Sequence, residues 1–433
     1  MSKTLTKTQA RHVIEVVGSS GVPPEWGFQY FSAGLEPYID VLEKDYLQSL
    51  VKDGGSSFKV VVGSYGGGKT HFLYSVRDLA FKHEYLVSYC PLSLNDSPFY
   101  RLDLVYRAVV SNIMRPVSPP DLMSGAERGP APFLKSVFQD LVDGLIADGM
   151  SGPALKARLK TVFEDVSAGL EDPNFGIAVR QGLDALVEGD RDRLDLVLQY
   201  LLADGYDRAA HKRLGILHPI DKGHAFPALR SLVAFIRNLK FRGLVILFDE
   251  AEQAGSMSPR QKEMMLANLR EMVDQCGSAA FSNVMVFYAV PDEHFLTEGR
   301  STAYEALKQR IHTVFDFNNP TGVTIRLDRI GRTPRTLMIE IGMRLAAVYE
   351  KAWGVNFPLE TRSDAVAAVA DAVAERAYGD IGYKRLFVQS MVRAFNTLRL
   401  DPGVTLGPDF ASAILDPGDG GGSGSGTEST ADE

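Results

Sequence analysis

Gly63, Gly68, Lys69 and Thr70 stand in the stretch "VVVGSYGGGKTHFLY", residues 60 to 74, at the spacing GxxxxGK[ST]. Glycines let the backbone bend until its N–H groups converge on an anion. The lysine can then reach the outer oxygens of a triphosphate, and the threonine hydroxyl can ligate Mg²⁺. Ser64, Tyr65, Gly66 and Gly67 form the bend between them and bring their backbone to the same ligand. His71, the next residue, either approaches the nucleotide or packs against the fold. The apolar run before the loop predicts a strand and the residues after it a helix, whose positive end would face the phosphates.

A second pair of interest closes the apolar run "GLVILFDEAE" at Asp249 and Glu250. Hydrolysis of a phosphoanhydride needs one carboxylate to order the metal and one to align the attacking water, and Asp249 and Glu250 are assigned these roles in that order. The alternative is a buried strand that ends in a solvated acidic cap. A guanine reader of the NKxD type is not evident, since "PIDKGH" is not one, so ATP with Mg²⁺ is expected rather than GTP.

These residues need strands and helices to hold them. Short β-branched runs, "FKVVV", "YLVSYCPLS", "GLVILFDE", "NVMVFYAV" and "TVFDF", alternate with helical patterns such as "SPRQKEMMLANLREMVDQCG" and "TAYEALKQRIH". That alternation predicts an α/β fold with a parallel sheet covered on both faces. Residues 121 to about 215 show amphipathic helical spacing between Gly and Pro breaks, which predicts a helical insertion. The expected organisation is a helical segment 1–53 that contributes to the nucleotide site, a core 54–333 holding that insertion, a helical domain 334–415 and a disordered Gly/Ser-rich tail 416–433.

Composition narrows the function classes. The chain has 433 residues, 45% hydrophobic and 23% charged, with a formal net charge of −8. Binding of DNA through the whole surface is excluded by that balance, so DNA contact is expected only through a local patch. "LKARLK" and "DRAAHKRL" are the candidates, the alternative being solvated faces of amphipathic helices. Two cysteines, Cys90 and Cys276, outside any metal-ligand spacing, argue against a disulfide framework or a structural zinc site. With no continuous apolar core at the N-terminus and no run near the roughly 20 residues of a span, a cytoplasmic protein without membrane contact is expected.

The set "GSYGGGKTHFL", "LFDEAE", further strand and helix units and a helical C-terminal region resembles the AAA+ ATPases of the origin-recognition and initiator-like branch. "GSYGGGKTHFL" and the upstream "SSGVPPEWG" resemble more specifically the BREX-system ATP-binding family of bacterial phage defence. The resemblance implies a parallel P-loop (ASCE/AAA+) sheet flanked by helices, a helical C-terminal lid domain, and ATP hydrolysis shared between subunits. By position it assigns Arg310 as an arginine finger and Arg385 as a lid arginine that contacts phosphate. The alternatives are a solvated helix-end cation and a surface arginine. The sensor at the end of the fourth strand departs from the family's Asn, Ser or Thr and falls on Tyr288 or, by position, Asp292. Tyr30, Phe31 and Pro37 lie where the family's N-terminal segment wraps the base. The implied partners are further copies of the chain or other defence proteins such as a helicase. An ATP-dependent scaffold with little hydrolysis is the competing reading.

Overall fold

Ser56–Val62 (β1) leads into the glycine loop, and Lys69–Lys82 is the helix that follows it. The computed structural model describes residues 5–251, 257–278, 280–292, 294–297, 302–316, 319–328, 333–376 and 382–415. Five more strands complete a six-stranded sheet: Leu86–Pro91 (β2), Ile113–Met114 (β3), Leu244–Asp249 (β4), Val284–Val290 (β5) and Thr324–Arg326 (β6). Their order is β3-β2-β4-β5-β1-β6. All neighbours run parallel except β2 and β3. The α/β class and the parallel sheet therefore match expectation. β5 lies between β1 and β4, so the strand that ends in Asp249 is one strand removed from the loop.

Every residue of β4 and β5 is buried, as a strand covered on both faces requires. Alternation sorts the side chains into two layers. Val61, Val87, Val245, Leu247, Met285 and Phe287 pack with Phe72, Leu73 and Val76 of the Lys69–Lys82 helix. Val60, Leu86, Ile246, Phe248, Val286 and Tyr288 belong to the other core, with helices Leu102–Ser111, Ala225–Asn238 and Pro259–Gly277. At about 1.5–3 kcal/mol for each large apolar side chain removed from water, these layers supply most of the drive to form the sheet.

The strand expected at "TVFDF" is corrected by the structure. Val314 makes only an isolated bridge with Thr324, and the strand beside β1 is Thr324–Arg326. Val60 N–H donates to Val323 O at 2.9 Å and Leu327 N–H to Val62 O at 2.9 Å, so the later β-branched run "VTIR" takes the edge of β1. The Thr313 carbonyl accepts the Thr324 N–H at 2.9 Å and the Phe315 N–H donates to Thr324 O at 2.8 Å, the two bonds of that single parallel bridge, so the earlier run meets the sheet only there.

On the face of Lys69–Lys82, β1 carries an unusual residue for a core. Lys59 is 1% exposed. Its amine donates to Tyr46 Oη at 2.7 Å and Gly322 O at 2.6 Å, and lies 4.3 Å from the Tyr46 ring centre and 4.9 Å from that of Phe315. Tyr46 belongs to Leu42–Leu50, a π-helical continuation of the helix Glu36–Val41, and its hydroxyl donates to Pro320 O at 2.6 Å. Burial lowers the Lys59 pKa to about 7 and raises that of Tyr46 to about 12.

Between residues 119 and 213 the described elements are helices: Pro119–Met123, Pro130–Ala147, Gly152–Ser167, Pro173–Glu188, Arg191–Leu201 and Arg208–Arg213. Leu159, Phe163, Phe175, Val179, Leu183 and Tyr200 are buried among them and continuous with the second sheet layer. The basic segments point outward: Lys156, Arg158 and Lys160 are exposed around buried Leu159, and Arg208, Lys212 and Arg213 around buried His211.

The chain divides into two units, residues 34–330 and residues 1–33 with 331–433. In the second unit the helix Lys7–Ser20 packs on Pro334–Trp353 and Tyr383–Leu400, with Leu359–Arg376 completing the bundle. Val13, Ile14 and Val17 form its buried stripe. Arg11 Nε donates to Ala352 O at 3.1 Å and its guanidinium lies 5.8 Å from the Trp353 ring centre.

Candidate nucleotide site

The loop after β1 folds as glycines allow. Gly66 and Gly68 have φ of +69° and +99°, in the left-handed region that side chains disfavour. Gly67 N–H donates to Ser64 O at 2.8 Å, and a Cβ on Gly67 would meet that oxygen at 2.8 Å, so the turn has no room for a side chain. The Lys69–Lys82 helix starts directly from Gly68, leaving its first N–H groups and dipole directed at the loop. Lys69 is 6% exposed, with its amine 3.0 Å from Gly63 O and 3.4 Å from Ser64 O. A positive charge is thus held inside the bend. Tyr65, at the loop's tip, is 61% exposed.

Asp249 ends β4 almost fully buried, 1% exposed. Thr70 Oγ1 donates to its Oδ2 at 2.7 Å, Tyr89 Oη to the same oxygen at 2.8 Å, and the Glu250 N–H to Oδ1 at 2.9 Å. A carboxylate and a hydroxyl are hard oxygen donors of the kind Mg²⁺ takes beside phosphate oxygens, so this pair fits a phosphate-bound magnesium ion. Glu250 is exposed, and its backbone is left-handed at φ +58°. For a residue with a side chain that conformation costs about 1–2 kcal/mol, and such strain concentrates where a side chain must be aimed. The structure thus brings Lys69, Thr70, Asp249 and the Glu250 backbone to the C-terminal ends of the parallel strands β1 and β4. Those ends are where open α/β sheets bind ligands.

The other expected site residues have different surroundings. Arg310, on the helix Thr302–Ile311, forms an ion pair with Asp274 of Pro259–Gly277 and donates through Nη1 to Ala306 O at 2.6 Å. Asp292 accepts the Phe295 N–H at 3.0 Å, capping the short helix His294–Thr297. Tyr288 is buried within β5. Arg385 belongs to the helical unit, where its Nε donates to Ser20 O at 2.6 Å. Tyr30 packs edge-on to Trp26 and Phe31 is buried in that same unit, whereas Pro37 lies in the first turn of Glu36–Val41 in the sheet unit. His71 is half-buried, and its carbonyl accepts the Ser75 hydroxyl at 2.9 Å.

Tyr89 and Tyr74 were not singled out from sequence. Tyr74 lies one helical turn beyond Thr70, and its ring centre is 5.1 Å from that of Tyr89. Burial first, then the Asp249 charge and hydrogen bonding to Tyr74 and Asp249, raise the Tyr89 pKa and keep its hydroxyl a donor. The alternation of "YLVSYCP" puts Tyr89 on the face of Val87, but its meeting with Asp249 depends on the β2–β4 register, Tyr89 opposite Leu247 and Pro91 opposite Asp249.

A glycine-bent loop joining a parallel strand to a helix, beside a buried strand-end aspartate, places the chain in the P-loop class of nucleotide-binding α/β folds. The chain belongs to the family described as BREX system ATP-binding protein BrxC/D, which matches residues 5–413. That is the family the loop and the upstream breaker segment resemble, and its role is ATP binding within BREX phage defence. No curated protein and no solved structure shows significant similarity to the chain. Among the described residues, no helix is long and apolar enough to cross a membrane.

Proposed function

We propose that this protein is an AAA+-type ATPase that binds ATP with Mg²⁺ at the loop Gly63–Thr70 and uses its nucleotide state to govern assembly with other BREX proteins, with DNA, or with both. The observation that carries the reading is the 2.7 Å contact from Thr70 to Asp249, which joins the loop's hydroxyl to the strand-end carboxylate. β5 lies between the two strands, the order expected of ASCE ATPases, and Glu250 follows Asp249 as an exposed residue. Thr70 and Asp249 would hold Mg²⁺, which would supply positive charge against the phosphates. Lys69 contributes a second positive charge from inside the loop, and Glu250 orients the water.

The second reading, an ATP-dependent scaffold with little turnover, draws support from Arg310 and Asp292. In the isolated chain both are engaged locally, with Asp274 and the Phe295 N–H. Assembly would have to release Arg310 before it could serve a neighbouring subunit.

ATP binding by calorimetry and turnover against protein concentration separate the readings. Lys69→Ala is expected to weaken ATP binding at least tenfold, because truncating a buried charged partner of a phosphate costs roughly 2–5 kcal/mol. Unchanged affinity would remove the loop from the function. Turnover per molecule that rises with concentration, with or without double-stranded DNA, and is lost in Arg310→Ala supports a site shared between subunits. Tight binding with background turnover in every condition supports the scaffold.

A further inference from the structure

We propose that Tyr89 is a positioning residue for the cation half of this site: its hydroxyl locks the Asp249 carboxylate, and through it the Thr70 hydroxyl, in the orientation that receives a nucleotide-bound divalent cation. This inference rests on the nucleotide reading above.

Asp249 has about four in-plane acceptor positions. Thr70 and Tyr89 take both on Oδ2, at 2.7 and 2.8 Å, and the Glu250 N–H takes one on Oδ1 at 2.9 Å. One position remains, on Oδ1, for a water from a cation's shell. The carboxylate cannot turn toward another partner without breaking three hydrogen bonds in a site 1% exposed.

The same arrangement fixes Thr70. A hydroxyl that ligates a cation through its oxygen must send its proton elsewhere, and Asp249 Oδ2 is the acceptor. Tyr89 holds that oxygen in place. Tyr74, 8% exposed and four residues after Thr70, packs against the Tyr89 ring and limits its swing. Two residues of the helix and two of adjacent strands thus close a ring, of which only Thr70 and Asp249 belong to the recognised motifs.

Removing the hydroxyl while keeping the ring isolates this role. Partners that orient metal ligands from behind commonly contribute 10–100-fold to metal affinity. The experiment follows binding of a fluorescent ATP analogue by the full chain, first in EDTA and then against rising Mg²⁺. Tyr89→Phe is expected to match the parent in EDTA and to need roughly tenfold more Mg²⁺ to reach half of the metal-dependent gain in affinity.

A purely structural role for Tyr89 would lower both affinities together, and that result overturns the proposal, as does a Mg²⁺ midpoint within twofold of the parent's. Should Tyr89→Phe fail to fold, Tyr74→Phe carries the test by removing the hydroxyl that hydrogen-bonds to Tyr89, with a smaller shift of the midpoint in the same direction expected and an unchanged midpoint overturning it. A parent chain that binds no analogue with or without Mg²⁺ overturns the nucleotide reading itself, and this inference with it.

Discussion

Glu250→Gln is expected to cut ATP turnover by roughly 10²–10⁴-fold, the range for losing a positioned proton acceptor, while ATP affinity stays within a few fold of the parent's. Glutamine keeps the size of the side chain and a carbonyl oxygen but loses the charge that draws a proton from water. Binding should survive because Glu250 reaches Asp249 through its backbone N–H, which the substitution leaves intact, and because its side chain lies on the solvent side of the strand end. The left-handed backbone at this position, φ +58°, is tolerated equally by either residue. Nucleotide-bound assemblies should therefore accumulate in Glu250→Gln, read as a shift to larger species in ATP by light scattering. Parent-like turnover in this variant would exclude Glu250 as the water-orienting group.

The second large effect concerns stability and pH. Lys59 carries a folded-state pKa lowered from 10.5 to about 7 by burial. Between those two values the unfolded chain holds a proton that the folded chain does not, so stability rises with pH across the window, by up to about 1.4 kcal/mol per unit. Below about 7 both states are protonated, and the penalty for burying the ammonium is fully present and constant. Tyr46, raised to about 12, stays protonated below pH 9 and adds no opposing slope there. Lys59→Met removes the titrating group while filling the same space. The stability difference, parent minus variant, should then grow by about 1 kcal/mol or more for each unit from pH 7.5 to 9, measured by urea unfolding. Parallel curves for the two proteins would mean that the amine stays charged in the folded state, held by the Gly322 and Tyr46 oxygens and the two aromatic faces.

Legibility from sequence followed the range of each interaction. The glycine loop could be read because every constraint on it is local: the positive φ values, the Gly67 turn and the helix start all fall within eight consecutive residues. Asp249 could be singled out because the glycine loop upstream gives an apolar run that ends in an acid a specific use, where alone it would suit a solvated cap as well. The ion pair of Arg310 with Asp274, 36 residues away, left no trace in either segment. Tyr89 looks like any strand aromatic until the register places it against β4. The strand at Thr324–Arg326 was displaced in the sequence reading by "TVFDF", because two β-branched runs competed for one edge and backbone pairing chose the later.

The helix Lys7–Ser20 has its own consequence for synthesis. Its buried stripe of Val13, Ile14 and Val17 is covered by helices that begin at residue 334, and Arg11 bonds to a carbonyl 341 residues further on. Closing so long a loop carries a large entropic cost, and contacts so remote in sequence form late. The Lys7–Ser20 helix must wait, its apolar face unsatisfied, until the helices from residue 334 onward have been translated. The sheet-bearing segment can fold meanwhile, but the bundle is completed only once the helix Tyr383–Leu400 has been made. Premature termination between residues 20 and 334 would therefore release a molecule whose Lys7–Ser20 helix keeps its apolar stripe uncovered, an adhesive surface that the longer product hides.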